Sequence, residues 1–318
     1  MSSHPDGSLA IETQALTTRF GTRVAVDAVD LRVPTATAFG FLGPNGAGKT
    51  TLIRTMLGLI RPTSGTWRLL GRPMPQERSV AMRRVGAIVE EPRFHPHLTG
   101  RENLRIIAAA REPAAHARIP GALERVGLTA RADERVGKYS LGMRQRLGVA
   151  RCLLADPLLL ILDEPMNGLD PAGIQEFREM VAALVDEGRT VFVSSHLLDE
   201  VEKTCDRVAI IDRGRILMQG AVSDIARTGQ PTVRIRCDDP ALAASVIAAV
   251  PNVREATRED GSVVVVFAAD PGDSTDALIA EVNRRLVAAA VAVFSIEPER
   301  VSLEERFLEL TSRLEEAG

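Results

Sequence analysis

The chain has 318 residues, enough for one large α/β domain and a smaller second one, each with an interior that folds without cross-links. Its 45% hydrophobic and 25% charged residues are ordinary for a soluble globular protein and exclude disorder. A net charge of -3 excludes a general attraction to nucleic acid or anionic lipid, so no nucleic-acid partner is expected and any phosphate binding must be local. Cys152, Cys205 and Cys237 are odd in number, widely spaced and without a CxxC pair, which favours a reducing cytoplasm over a disulfide framework or a zinc site. The longest apolar runs, at 241–250 and 286–294, are about half the ~20 residues that span a bilayer. The opening MSSHPDGSLA has neither the basic region nor the apolar core of a signal peptide.

Strand-like and helix-like segments alternate through about residue 222, which argues for a parallel or mixed sheet with helices on its faces. VPTATAFGFL at 33–42 reads as a strand and TLIRTMLGLI at 51–60 as a helix. Between them GPNGAGKT, followed by Thr51, matches the phosphate-binding loop G-x-x-x-x-G-K-[ST] without a mismatch. Gly43, Pro44, Asn45, Gly46, Ala47 and Gly48 carry little side chain, so successive backbone N–H groups can converge on phosphates at the start of a helix. Lys49 then reaches the β/γ-phosphates, and the Thr50 hydroxyl can ligate Mg²⁺. The segment 89–155 reads as a helical insertion that opens with the loop EEPRFHPHLTG, where Thr99 and Glu102 have capping-box spacing. His95 and His97 show HxH spacing with no further ligand cluster, as befits exposed loop histidines.

LLLIL at 158–162 is a buried-strand pattern that runs into Asp163 and Glu164. Two acids closing an apolar strand in a chain with a phosphate loop place Asp163 to hold Mg²⁺ and Glu164 to orient or deprotonate water. TVFVSS at 190–195 is a further strand, and 208–220 reads as a hairpin turning near Gly214. From 223 to 318 the order β-α-β-β-α-β suggests a ferredoxin-like accessory domain. A last helix follows, with a capping box at Ser302 and Glu305 and a stripe of Leu303, Phe307, Leu310 and Leu314.

YSLGM at 139–143 stands where the ATP-binding cassette (ABC) transporter ATPases have the signature LSGGQ, NGLD at 167–170 resembles their D-loop, and SSHLLDE at 194–200 resembles their switch-histidine segment. Order and spacing agree over 9–222. The resemblance implies an ABC ATPase domain over 1–222 and the cofactors ATP and Mg²⁺. It also implies a head-to-tail dimer, of this chain or with a related ATPase subunit, in which Ser140 and Gly142 of one copy face the ATP held by the other. His196 would contact the γ-phosphate and hold water and Glu164 in line, and Phe20 would stack on adenine. The work would be done on separately encoded transmembrane permease subunits, with the chain peripheral on the inner face of the cell membrane and Glu90–Leu104 as the contact.

Two positions depart from the family. Glu90 stands where a glutamine is usual; it could ligate Mg²⁺ but also repels the γ-phosphate. Leu141 replaces the first signature glycine, so the backbone there must be compatible with a helix. Both substitutions resemble the exporter branch related to bacitracin, lantibiotic and anthracycline self-resistance, as does the ending SLEERFLELT. A soluble ABC ATPase acting on a macromolecular complex is the alternative. It is disfavoured because the chain has neither tandem ATPase units with a basic linker nor coiled-coil insertions. A regulatory binding module that scarcely hydrolyses nucleotide is disfavoured by the presence of both Glu164 and His196.

Overall fold

The computed structural model of the protein describes residues 8–227, 232–259, 261–268 and 275–299, together with Leu303 and Phe307. Two compact units are distinguished, with the division in sequence between Val222 and Ser223.

The first unit opens with an antiparallel pair, β1 (Leu9–Phe20) and β2 (Arg23–Pro34). In β2 the buried Val29, Leu31 and Val33 alternate with the exposed Ala28, Asp30 and Arg32, the period of a sheet covered on one face. A turn leads to β3 (Ala38–Leu42) and, after the glycine-rich loop, to α1 (Lys49–Met56). The single strand expected at 33–42 is therefore interrupted: Val33 and Pro34 end β2, Ala36 takes φ 54°, and the Thr37 hydroxyl donates to Pro34 O at 3.0 Å. β4 (Ser64–Leu69) and β5 (Arg72–Met74) complete an antiparallel sheet of order β2-β1-β4-β5.

After the single turn α2 (Arg78–Ala81) comes β6 (Val85–Ile88), and then the helical insertion: α3 (Gly100–Ala109), α4 (Ala114–Ala117), α5 (Ile119–Arg125) and α6 (Leu141–Leu153). The capping box that starts α3 is formed in both directions between Thr99 and Glu102, at 3.1 and 2.8 Å. The chain returns through β7 (Leu159–Asp163), α7 (Pro171–Asp186), β8 (Thr190–Ser195), α8 (Leu198–Thr204), β9 (Arg207–Asp212) and β10 (Arg215–Ala221). These form a sheet of order β10-β9-β3-β8-β7-β6, parallel except for the edge strand β10. Every residue of β3, β7 and β8 is buried, which is why their sequences are apolar runs without alternation. The expected hairpin turns at Arg213 and Gly214, both with positive φ.

The face of the antiparallel sheet and that of the parallel sheet contribute to one core. Ile11, Leu16, Leu31 and Leu69 join Leu52, Ile53 and Met56 of α1 and Phe39, Phe41, Ile161 and Phe192 of the parallel strands. Helix α1 is pinned at its end by Trp67, whose buried indole donates to Met56 O at 2.9 Å. Cys152 and Cys205 are buried free thiols, and burial pushes both thiol pKa values up.

From Ser223 the second unit holds most of α9 (Val222–Arg227), then β11 (Thr232–Cys237), α10 (Pro240–Ala248), β12 (Val253–Glu259), β13 (Ser262–Phe267), α11 (Thr275–Ala288) and β14 (Val293–Glu299). The sheet order β12-β13-β11-β14, antiparallel throughout, places β13 between the two strands of the first β-α-β, the ferredoxin-like arrangement. Val233, Ile235, Val263, Val265 and Phe267 pack against Ala243 and Ile247 of α10 and Val282 and Leu286 of α11. Leu303 and Phe307 are helical and Leu303 is buried; Ser302, Glu305, Leu310 and Leu314 lie outside the described residues. Among the described residues no helix is long and apolar enough to cross a membrane.

Replacing Trp67 by phenylalanine keeps the apolar ring but leaves Met56 O without its donor. The expected cost is about 1–3 kcal/mol, read as a lower urea midpoint by circular dichroism with an unchanged slope.

Candidate functional site

Strands β3, β8, β7 and β6 are neighbours and parallel, so their carboxyl ends share one edge of the sheet, the edge at which open α/β sheets bind ligands. Each strand delivers one part of the expected chemistry there. The loop from Gly43 to Gly48 follows β3, His196 follows β8, Asp163 ends β7 with Glu164 next, and Glu90 lies two residues beyond β6.

The loop has its shape because other backbone leaves no room for side chains. A Cβ on Gly43 would stand 2.2 Å from Ile211 O, and one on Gly48, where φ is 109°, would stand 2.4 Å from Ala25 O. The β9–β10 turn braces it from behind, with Gly214 N donating to Ala47 O at 2.8 Å. Ala47 itself is buried and belongs to the core, so only its backbone serves the loop.

Lys49 is 6% exposed and its ammonium is fully engaged, donating to Gly43 O at 2.6 Å and Pro44 O at 3.2 Å and pairing with Glu164 Oε1 at 3.1 Å. The other oxygen of Glu164, Oε2, lies 2.8 Å from His196 Nδ1. Glu164 sits in the left-handed region, φ 48°, an uncommon backbone for a residue with a side chain. Its N–H is held by the hydroxyl of Ser194 at 3.0 Å, and the same hydroxyl donates to Asp163 Oδ1. Asp163 Oδ2 accepts from Thr50 Oγ1 at 2.8 Å. Lys49, Thr50, Asp163, Glu164 and His196 are thus one connected polar cluster.

A cleft of about 430 Å³ opens beside it, lined by Phe20, Arg23, Asn45, Gly46, Thr51 and Glu164 among others. That volume lies within the range of small-molecule sites, and Phe20 is 52% exposed there, a costly place for an aromatic ring without a partner.

Ser140, Gly142 and Glu90 join neither this cleft nor the polar cluster or loop beside it. Ser140 is exposed and caps α6, accepting from Met143 N at 3.2 Å, and Gly142 stands beside Leu169 of the NGLD segment. Leu141 begins α6 in helical backbone, as its size requires. Glu90, at φ 71°, turns its carboxylate to Arg54 of α1 instead of joining Thr50 and Asp163. The sequence reading missed Ser194, Arg23 and Arg54. Ser194 left a readable signal, a serine closing an otherwise apolar strand, and the sheet register sets it directly opposite Asp163.

The family model described as ABC transporter matches residues 26–167. The chain is 40% identical to the uncharacterized ABC transporter ATP-binding protein YdbJ of Bacillus subtilis, over 97% of both chains. It is 36% identical to the bacitracin transport ATP-binding protein BcrA of Enterococcus faecalis, over 94% of this chain and 96% of that one. It is 34% identical to the Nod factor export ATP-binding protein I of Burkholderia thailandensis, over 95% and 97%. A solved ATP-binding subunit of an ABC transporter is similar at TM-score 0.61 and 30% identity, covering 69% of this chain and 92% of that one.

Ser194→Ala removes the donor to Asp163 and the acceptor of the Glu164 N–H together. A loss of about 1–2 kcal/mol is expected from the two hydrogen bonds removed, because the Glu164 N–H keeps Ser194 O at 3.2 Å and Asp163 keeps Thr50; it is measured by chemical denaturation, and Ser195→Ala, which removes only a hydrogen bond to Leu197 N, should cost less.

Proposed function

The chain belongs to the ABC transporter family as one of its ATP-binding, ATP-hydrolysing subunits, and we propose that it powers an exporter of a drug, antibiotic or lipid-like compound. It would do so as a head-to-tail dimer on separately encoded membrane subunits. The convergence of Lys49, Glu164 and His196 beside the glycine-rich loop carries the reading.

The residues fit magnesium and nucleotide. The loop offers close backbone N–H groups, Lys49 offers an ammonium, and Thr50 and Asp163 bring two hard oxygens to 2.8 Å, the donor set for Mg²⁺. Held there, the ion would offset charge on the β- and γ-phosphates. Phe20 supplies an aromatic face for the base at the rim of the cleft.

The Lys49 ammonium donates to two loop carbonyls and is paired in charge with Glu164, so a phosphate drawing on it competes with Glu164. Released from Lys49, Glu164 keeps its bond to His196 and has an oxygen free to accept from a water. Lys49 thereby ties the activation of the water-directed carboxylate to the arrival of the phosphate. His196 fixes the direction in which that carboxylate points, and Ser194 fixes its backbone.

The dimer is supported by what one chain lacks at its own cleft: the exposed Ser140 and the half-buried Gly142 stand at the start of α6 and do not line the pocket of the same chain. A second copy would bring them to it, with the α6 amino-terminal end toward phosphate. The permease contact is assigned to Glu90–Leu104, where Phe94 lies under the Arg151 guanidinium at 5.7 Å and Leu98 is half-buried. Substrate class and export rest on likeness over nearly the whole chain to the bacitracin and Nod factor proteins. The ferredoxin-like unit is assigned to dimer stabilisation or regulation.

Glu164→Gln should keep ATP binding and lose turnover, giving an ATP-dependent dimer by sedimentation; full turnover would remove Glu164 from its role. Lys49→Ala should weaken nucleotide affinity by at least about tenfold in a titration with ATP and Mg²⁺, and unchanged affinity would contradict the phosphate-loop assignment.

A further inference from the structure

Glu90 is the acid at the sheet edge that hydrolysis does not use. Strands β6 and β7 pair in parallel with Ile88 opposite Leu162, so Glu90 and Glu164 each lie two residues beyond a matched pair and leave the sheet side by side. With Asp163 they put three acidic residues at or just beyond the carboxyl ends of β6 and β7, the edge that also carries the phosphate loop. Asp163 is satisfied by the Thr50 and Ser194 hydroxyls and Glu164 by Lys49 and His196. Glu90 has Arg54.

Arg54 is four residues after Thr50 on α1, hence on the same face of the helix and one turn further along. Its guanidinium and the Glu90 carboxylate are 38% and 65% exposed, and a pair so open to water contributes little to stability. Its consequence is local charge. At this edge Arg54 is paired with Glu90 as Lys49 is with Glu164; without Arg54 the Glu90 charge would stand without its counter-ion while the ligand adds further negative charge.

We propose that Arg54 is the positioning counter-ion of Glu90, turning its carboxylate away from the phosphates and neutralising it, so that this chain tolerates glutamate beside a polyphosphate site. The inference rests on the nucleotide reading above. It concerns binding before chemistry, and the Arg54 guanidinium is paired with Glu90.

The test is calorimetric titration of the full chain with a non-hydrolysable ATP analogue and Mg²⁺. Arg54→Gln should weaken binding about fivefold, with the loss shrinking as salt rises toward about 0.5 M. Arg54→Lys should retain affinity. In a Glu90→Gln background the same Arg54→Gln change should have no effect, because the charge it offsets is gone. An equal loss in both backgrounds, or no loss while the parent chain binds, overturns the inference alone. Failure of the parent chain to bind overturns the nucleotide reading and this inference with it.

Discussion

One buried ammonium holds the site together. Lys49 is almost completely shielded from water, and a charge so placed persists only if its hydrogens are taken up. Two of its partners are carbonyls of the loop that precedes it and the third is the acid after β7, so a single side chain closes the loop and restrains the Glu164 carboxylate. Losing its only anionic partner, Glu164, would leave the buried ammonium with neutral carbonyls alone, a cost that an incoming anion offsets. In the proposed mechanism, phosphate recognition and control of the carboxylate come from the same atom.

This arrangement needs the sheet. Lys49 and Glu164 are far apart in sequence and meet because β3 and β7 both flank β8 in parallel, with Asp163 in register with Ser194. Ser194 turns that register into geometry: it fixes Asp163 by donating to it and sets the left-handed Glu164 by accepting its N–H. Completely buried strands, close-packed glycines and the brace from the Gly214 turn keep these carboxyl ends where the polar cluster requires them.

Much of this was legible in the sequence, where the chemistry is written in consecutive residues. The phosphate loop, the acids closing β7, the Thr99–Glu102 capping box and the β-α-β-β-α-β order of the second unit are all local patterns, and they name their own structure. Contacts between distant residues were not legible. Nothing local says that Arg54 meets Glu90, that Ala47 points into the core, or that Ser194 serves two acids. The split of the segment 33–42 was missed for another reason: its apolar and β-branched residues suit a strand, and only the turn at Ala36, a residue without a turn signal, divides it. The pairing of Glu90 with Arg54 depends on a helix face that the pattern around Glu90 does not contain.

The central claim is that the Lys49 ammonium passes from Glu164 to phosphate. A crystal structure of the full chain with Mg²⁺ and a non-hydrolysable ATP analogue tests it most directly. The account predicts Lys49 Nζ on the β- and γ-phosphate oxygens, Glu164 released toward a water and still bonded to His196. A nucleotide bound while Lys49 remains paired with Glu164 would contradict it.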